Sequence, residues 1–409
     1  MTFLRFLRAN LRWLAGGFLL CLFSSVGQTF FISLSGGQIR REYGLSNGEF
    51  GGLYMLATLA SAMTLPFIGR MVDRRSVGAT VLVVMPMLAL AAALMAVSTQ
   101  VGVLLLSLYL LRLFGQGMMT HTSLTAMGRW FSGHRGRAVS LATLGHQTGE
   151  ATLPLAMVSL HALIGWRMSW ALFAALVLCL ALPAIYALMR IERLPQAADL
   201  PERRQVARHW TRREVLRDPL YWVMLVGTLA PGFIGTAIFF HQAYLLELRG
   251  WAPGAFASAF VLMACMTLTF ALVSGWLIDR FGAFRLLPVF LVPLSLSCFS
   301  LAAIAEPIGI FVFMGLLGVS YGISSTLLGA LWPEVYGTRH LGSVRSVTVA
   351  MMVFSSALGP GVTGLLIDAQ VSYLLQLQVL GVYCLVAAGV MVFVSRQLAH
   401  RFQATAIAR

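Results

Sequence analysis

Long apolar runs recur along this chain, each about as long as a lipid bilayer is thick. A helix needs about 20 mainly apolar residues to cross the hydrocarbon core. Twelve runs of that kind are found, centred on residues 11–37, 47–69, 79–98, 101–127, 137–160, 168–190, 219–244, 254–277, 286–305, 308–331, 343–366 and 373–395. The pattern predicts an all-α polytopic membrane protein with twelve transmembrane helices.

The composition excludes an ordinary soluble enzyme. Hydrophobic residues make up 59% of the 409 residues and charged residues only 11%, whereas soluble domains have about 25% charged residues. So little charge cannot cover the surface of a water-soluble protein of this size. The apolar side chains are therefore expected to face lipid.

The basic residues indicate how the chain is oriented. All 29 are arginines, and they give a net charge of +15, which a nucleic-acid-binding protein would also have. Here they cluster between apolar runs, as the positive-inside rule requires of cytoplasmic loops. With both termini in the cytoplasm, Arg40, Arg41, Arg167 and Arg249 lie outside, Arg112 lies within a span, and every other arginine lies inside. We expect a multi-pass inner-membrane protein that binds no nucleic acid.

The sequence lacks the motifs of disulfide frameworks, metal sites and phosphate-binding loops. The five cysteines lie in apolar stretches without paired spacing, so they predict neither a disulfide framework nor a metal site. The chain has no lysine to complete a phosphate-binding loop, and it has no zinc-protease motif. We expect no cofactor, no metal and no ATP hydrolysis by that route.

A six-residue motif occurs twice, 206 residues apart. The two copies share a Gly, an Asp and an Arg after spans two and eight, namely Gly69, Asp73 and Arg74, and Gly275, Asp279 and Arg280. The same offset carries Pro154 in span five onto Pro360 in span eleven. An internal repeat of this length indicates two related six-helix bundles with a solute site between them.

The repeat also predicts where the halves meet in sequence. Residues 191–218 are rich in Arg, Pro and Glu and separate the sixth run from the seventh. We therefore expect an N-terminal six-helix half at 1–190, a cytoplasmic linker at 191–218 and a C-terminal six-helix half at 219–409.

These motifs resemble those of the major facilitator superfamily. The family's loop signature matches Gly69, Asp73 and Arg74, and its span-four signature resembles Arg112 followed by Gly115 and Gly117. Other motifs, such as Leu358-Gly359-Pro360 in span eleven, are similar to those of bacterial members that carry small organic anions such as monocarboxylates. The resemblance implies the major facilitator fold, pseudo-twofold symmetry, alternating access and a monomeric transporter.

The repeated loop motif has two interpretations. Asp73 at a helix end beside basic residues can close the inner mouth through charge-assisted hydrogen bonds. Alternatively, it ends a helix while the neighbouring charges only set topology. We favour a gating role for both copies of the motif.

Two charged residues, Arg112 and Glu150, lie at mid-membrane depth, where an ionisable group is costly and marks a functional candidate. Spans four and five are antiparallel neighbours, so the two side chains are expected to form a pair or a near-pair. Glu150 would then carry a coupled proton, and Arg112 would respond to the substrate. Alternatively, Arg112 binds an anionic substrate as a planar fork, or the pair only braces the fold.

Other polar residues inside the spans are candidates for the site. His146 lies one helical turn before Glu150 and can relay its proton, or it serves only as a packing residue. Gly145 and Gly149 predict close helix approach. In span one, Gln28 and Thr29 form, with Ser25, a polar stripe expected to face the cavity. Interhelical hydrogen bonding is the alternative for that stripe.

The second half offers fewer candidates. His241 near the end of span seven is expected at the outer mouth, either as a contact for the solute or as an interfacial anchor. Tyr321 and Ser325 share a face of span ten, and their hydroxyls can donate to a carboxylate without adding a buried charge. For Tyr321 and Ser325, the alternative is that they only pack against neighbouring helices.

The sequence thus predicts a secondary active transporter rather than an enzyme. We expect proton-coupled uptake of a small organic anion such as a monocarboxylate. The alternative is a proton-coupled exporter of lipophilic or cationic compounds or metabolites, in which Arg112 is structural and Glu150 alternates between proton and drug. A polytopic membrane enzyme and a channel fit the repeat less well.

Overall fold

The computed structural model describes residues 3–131, 135–193, 210–337 and 341–407, and every regular element in these ranges is helical. Helices satisfy each backbone polar group within their own segment, as a bilayer requires. The chain divides into two compact units. The first comprises Met1–Arg203 and Phe240–Ala243, and the second comprises Arg204–Phe239 and Tyr244–Arg409. The division at Arg203 falls inside the segment predicted as a linker.

The helices in the first part of the chain are α1 Phe3–Ser24, α2 Thr29–Ile32, α3 Gly36–Tyr43, α4 Asn47–Ile68, α5 Met71–Arg74, α6 Val77–Val97, α7 Val101–Leu110, α8 Thr120–Trp130, α9 Arg135–Ile164, α10 Trp166–Leu176 and α11 Leu182–Met189. Two π-helical segments, Leu111–Met119 and Val177–Ala181, join α7 to α8 and α10 to α11.

The later helices are α12 Arg212–Arg217, α13 Pro219–Phe240, α14 Gln242–Arg249, α15 Pro253–Phe281, α16 Leu291–Ala303, α17 Ile308–Tyr336, α18 Leu341–Asp368 and α19 Tyr373–Ile407. In the described residues, eleven helical stretches are long and apolar enough to cross a membrane. The predicted fifth span lies in the 30-residue helix α9, which is not among the eleven. His146, Gln147 and Glu150 make that helix more polar than the others.

The first span does not run unbroken over 11–37 as the apolar run suggested. Helix α1 ends at Ser24, a 3₁₀ turn covers Ser25–Gly27, and Gln28 is extended with φ −85° and ψ 154°. Gly27 meets Gly115 of the π segment so closely that a Cβ on Gly27 would lie 2.7 Å from the Gly115 Cα atom. Two backbone segments can approach this closely only where neither residue carries a side chain.

Glycines also set the other close helix contacts. A Cβ on Gly145 of α9 would lie 2.0 Å from the Phe18 carbonyl oxygen of α1, and one on Gly149 would lie 2.2 Å from Ser25 Oγ. The predicted close approach at these two glycines is confirmed. In the second unit, α15 packs along α17, and a Cβ on Gly322 would lie 2.5 Å from the Thr267 carbonyl oxygen.

Candidate functional site

The break at Gln28 places a free carbonyl inside the first unit. With Gln28 extended, the backbone of α1 does not continue into α2, and the Gly27 oxygen accepts a hydrogen bond from Arg112 Nη1 at 3.2 Å. The predicted polar stripe on one continuous helix is therefore wrong, because Ser25 and Thr29 belong to different segments. Gln28 itself is partly exposed, and we find no side-chain hydrogen bond for it within the described ranges.

Arg112 lies in the π segment and is only 1% exposed. Its Nη1 also reaches Thr29 Oγ1 at 3.5 Å, and its Cζ lies 5.3 Å from the centre of the Tyr54 ring, a cation–π distance. The Tyr54 hydroxyl and Thr29 Oγ1 are 2.6 Å apart. The Arg112 Nε atom is buried and has no hydrogen-bond partner in the described structure. The guanidinium thus has hydrogen-bond partners at Nη1 but none at Nε.

Glu150 lies beside His146 rather than in an ion pair with Arg112. Its Oε1 lies 3.5 Å from His146 Nε2, one turn earlier on α9, and Glu150 is 7% exposed. Among the described side chains, no carboxylate oxygen lies within 4.0 Å of the Arg112 guanidinium, so the expected Arg112–Glu150 ion pair is not formed. The Gly27 carbonyl takes the place that a carboxylate would have on Arg112.

The broken helix connects the two charged centres. Thr29 contacts Arg112, and the next residue, Phe30, packs its ring edge-on against His146 with centroids 6.3 Å apart. Two consecutive residues of α2 therefore contact the cation and the acid–imidazole pair. A movement of α2 would therefore change the surroundings of both Arg112 and the Glu150–His146 pair.

Residues 240–243 complete the aromatic side of this centre within the first unit. The Phe240 ring centroid lies 4.7 Å from that of Tyr54 and 4.8 Å from that of Phe50. His241 is 3% exposed and packs its ring against Phe240. It is therefore buried in this structure, whereas the sequence suggested an accessible position at the outer mouth.

Gln242 and Tyr54 were missed by the sequence reasoning. Gln242 Nε2 donates to Ser33 Oγ at 2.7 Å and to the Phe30 carbonyl at 3.3 Å, while its Oε1 atom has no partner in the described part of the chain. Tyr54 is a single hydroxyl-bearing ring in an apolar span, and Gln242 directly follows His241. These positions could have marked Tyr54 and Gln242 as candidates. They did not indicate which helix either side chain would contact.

The hydroxyl pair predicted in the second unit is engaged by backbone acceptors. Tyr321 Oη donates to the Pro231 carbonyl at 3.3 Å, and Ser325 Oγ donates to the Gly322 carbonyl of its own helix at 2.9 Å. Ser325 is exposed and Tyr321 is partly buried. Both hydroxyl protons are therefore used within the second unit, and binding a carboxylate there would require one of these bonds to break.

The repeated loop motif is only partly described. Gly69 ends α4, Arg74 is exposed at the end of α5, and Gly275 lies inside α15. Arg280 places its Cζ 5.3 Å from the Phe281 ring centre. The side chains of Asp73 and Asp279 lie outside what the structure describes, so the hydrogen bonds expected of them stay predictions.

A buried acid anchors the start of α13 in the second unit. Asp218 is 5% exposed, and it accepts two hydrogen bonds from Arg401 at 2.7 and 3.1 Å and one from Tyr336 Oη at 3.0 Å. Burial raises the pKa of Asp218, but the bonds and charge of Arg401 and the bonds from Tyr336 and the Leu220 N–H outweigh it, so the pKa lies below its usual value. Sequence reasoning did not single out this network, because its members are far apart in the chain.

The sequence was compared with known families and proteins. A model described as the Major Facilitator Superfamily matches residues 17–360. The MFS-type transporter pytF of Aspergillus terreus is 26% identical over 168 residues, 40% of this chain and 53% of that protein. The matched part of the chain thus spans about half the length of this curated relative.

Solved structures share the fold. A bacterial homolog of the human lysosomal transporter Spinster, in an inward-facing and unoccupied conformation, has a TM-score of 0.75 at 15% identity, with 95% of this chain and 97% of that chain covered. The nucleoside transporter NupG has a TM-score of 0.66 at 15% identity, with 96% and 98% covered. At these identities the similarity shows the fold alone.

Proposed function

This chain belongs to the major facilitator superfamily and is a membrane transporter rather than an enzyme, and from that premise we propose that it moves a small organic anion together with a proton. The two related halves would expose the solute alternately to the two sides of the membrane. The substrate class would be a monocarboxylate or a similar small anion. The protein would act as a monomer in the inner membrane with both termini in the cytoplasm.

The unpaired charge of Arg112 carries this proposal. A buried cation normally has a carboxylate partner, because leaving a charge unpaired in an apolar interior is costly. Arg112 is 1% exposed, its Nε is unsatisfied, and the described residues supply no carboxylate within hydrogen-bonding distance. A substrate carboxylate would satisfy the guanidinium with two parallel hydrogen bonds. Thr29, which contacts Arg112, and the partly exposed Gln28 beside it would help to position the substrate.

The acid–imidazole pair supports proton coupling. Glu150 and His146 lie 3.5 Å apart in the first unit, close enough to exchange a proton after a small side-chain movement. The adjacent residues Thr29 and Phe30 contact Arg112 and His146 respectively. Binding of an anion at Arg112 would therefore displace α2 and change the surroundings of the proton site.

The two loop motifs would act as gates in this scheme. Asp73 and Arg74 lie at the end of the short helix α5, which follows span two, whereas Asp279 and Arg280 lie near the end of α15, the eighth span itself. Charge-assisted hydrogen bonds made in only one of the two access states would stabilise that state.

A second function, export of lipophilic or cationic compounds, is favoured by one observation. The Phe240 ring centroid lies within 5 Å of the centroids of Phe50 and Tyr54, and the Tyr54 ring lies beside Arg112. Aromatic faces attract cations and flat apolar molecules. In that case Arg112 would serve structure, through its contact with Tyr54, and Glu150 would alternate between a proton and the exported compound.

A binding screen distinguishes the two functions. Purified protein would be tested for thermal stabilisation by small carboxylates and by amphiphilic cations at two pH values, since a ligand of the folded state raises its stability by mass action. We expect carboxylates to stabilise the wild-type protein and the control Arg396→Gln, an exposed arginine of α19, but not Arg112→Gln. Stabilisation by cations alone, unchanged in Arg112→Gln, would favour the exporter.

A further inference from the structure

An apolar groove runs along the side of the second unit between α13, α18 and α19. It consists of a cavity of about 320 Å³ that reaches Val226 and Tyr383, and one of about 190 Å³ that reaches Val371 and Gln376. Phe233 and Leu380 line both, so the two cavities are neighbours along the same side of the unit. None of the residues that line either cavity is charged.

One buried polar atom stands in this apolar lining without a partner. Gln376 is 7% exposed, and its Nε2 donates to the Val371 carbonyl at 3.1 Å. Because only the amino group can donate to a carbonyl, this bond fixes the orientation of the amide. The Oε1 atom is then left buried with no hydrogen-bond partner in the described structure. A buried acceptor of this kind is costly unless a ligand supplies a donor.

The dimensions of the groove match one leaflet of a bilayer. Gln376 lies in the first turn of α19, at the end of its span, and Tyr383 lies two turns further into the span. The helix from Leu375 to Tyr383 spans eight residue steps, which cover about 12 Å. Half of the hydrocarbon core is about 15 Å thick. The groove therefore extends from the membrane boundary to near the bilayer centre, as a single lipid chain does.

We propose that this groove binds one lipid whose headgroup donates a hydrogen bond to Gln376 Oε1 while an acyl chain lies along Phe233, Leu380 and Tyr383. Between residues 360 and 385 the sole charged residue is an acid, Asp368, which ends α18. A headgroup with an ammonium donor suits this position better than one whose only charge is negative. Phosphatidylethanolamine has such a donor, whereas phosphatidylcholine has none. The site is independent of the transported solute.

Competition between these two lipids tests the proposal. Purified, delipidated protein would be given equal amounts of phosphatidylethanolamine and phosphatidylcholine with identical chains, and the bound lipid would be measured by native mass spectrometry. We expect the wild-type protein to retain phosphatidylethanolamine about two- to tenfold better, the ratio that one hydrogen bond gives. Equal retention of both lipids would overturn the proposal.

Two variants with a matched control place the lipid in the groove. Gln376→Leu should lose the preference but keep some binding, whereas Gln378→Leu, an exposed glutamine of the same helix, should keep the preference. Leu380→Trp should reduce binding of both lipids by filling the groove. A preference that persists in Gln376→Leu would contradict the assignment, and so would a dimer that Leu380→Trp dissociates, because a second copy would then occupy the groove. If Leu380→Trp does not fold, the pair of glutamine variants decides.

Discussion

Gly27 and Gly115 meet backbone to backbone, and this contact sets the geometry around Arg112. A Cβ on Gly115 would lie 2.7 Å from the Gly27 Cα atom and 2.9 Å from its nitrogen. Three residues before Gly115 in the π segment, Arg112 donates to the Gly27 carbonyl. The same approach thus positions the break in the first span and gives the buried guanidinium an acceptor.

Replacing Gly115 by alanine should destabilise the first unit. The added methyl group meets backbone atoms that cannot rotate away, and overpacking of this kind typically costs about 1–3 kcal/mol. We expect a lower melting temperature for Gly115→Ala by thermal unfolding in detergent. Gly102→Ala is the control, since a Cβ there would meet no atom within 4 Å. Equal melting temperatures for the two variants would contradict the close contact.

Lysine should not be able to perform the function of Arg112 in transport. Arg112→Lys keeps the charge but loses the planar fork and the contact with the Tyr54 ring. If the guanidinium holds a carboxylate with two charge-assisted bonds, we expect uptake of the stabilising anion into proteoliposomes to fall about ten- to a hundredfold. Arg396→Lys should transport normally. Normal uptake by Arg112→Lys would leave the arginine with a structural role only.

Glu150→Gln should separate binding from proton coupling. The amide keeps the size of the side chain but cannot release a proton, so accumulation driven by a pH gradient should be lost while exchange of labelled for unlabelled solute persists. Both would be measured in the same proteoliposomes. Glu247→Gln, an exposed acid of α14, serves as the control. Gradient-driven accumulation by a folded Glu150→Gln variant would exclude this residue as the proton carrier.

Asp218→Asn should lower stability at neutral pH and flatten the acid side of the pH profile. The folded-state pKa of Asp218 is below its usual value. Its stabilising effect is therefore complete above about pH 3.9, the usual value for an unpaired Asp, and is lost as the pH falls through the lower folded-state pKa. Hydrogen bonds to a charged group contribute about 1.5–3 kcal/mol, and we expect the low end because the Arg401 side chain is 34% exposed.

Thermal unfolding from pH 7 down to pH 3 measures this effect. The wild-type protein should lose stability faster than Asp218→Asn below pH 4, so the two melting curves should converge there. Glu306→Gln, at an exposed acid between α16 and α17, is the control and should follow the wild-type profile. A constant difference between Asp218→Asn and the wild-type protein at every pH would show that charge is not the cause.

Cysteine labelling tests the predicted orientation. In a chain freed of its five native cysteines, Gln100→Cys lies in an exposed turn between α6 and α7, and Arg75→Cys lies in one between α5 and α6. The positive-inside rule puts the first outside and the second in the cytoplasm. A membrane-impermeant maleimide should label only Gln100→Cys in intact cells. Labelling of Arg75→Cys alone would reverse the topology.

The sequence by itself determined the class of the protein and its membership of a fold family. Twelve apolar runs, a charge of +15 carried by arginines between them, and a motif repeated after 206 residues were enough. These features act locally or along the chain, because a bilayer demands apolar helices of fixed length whatever their neighbours are. The importance of Gly145 and Gly149 was also predictable, since small residues four apart form one helix face.

The tertiary structure alone decided which polar groups meet. Depth along a helix can be counted from sequence, but rotation about the helix axis and breaks in the helix cannot, and these determine the partner of a side chain. Arg112 and Glu150 were expected to pair because their depths match, yet the π segment and the break at Gln28 give Arg112 a carbonyl and a tyrosine ring instead. Both features lie where Gly27 and Gly115 meet, and no side-chain pattern reveals such a contact between glycines far apart in the chain.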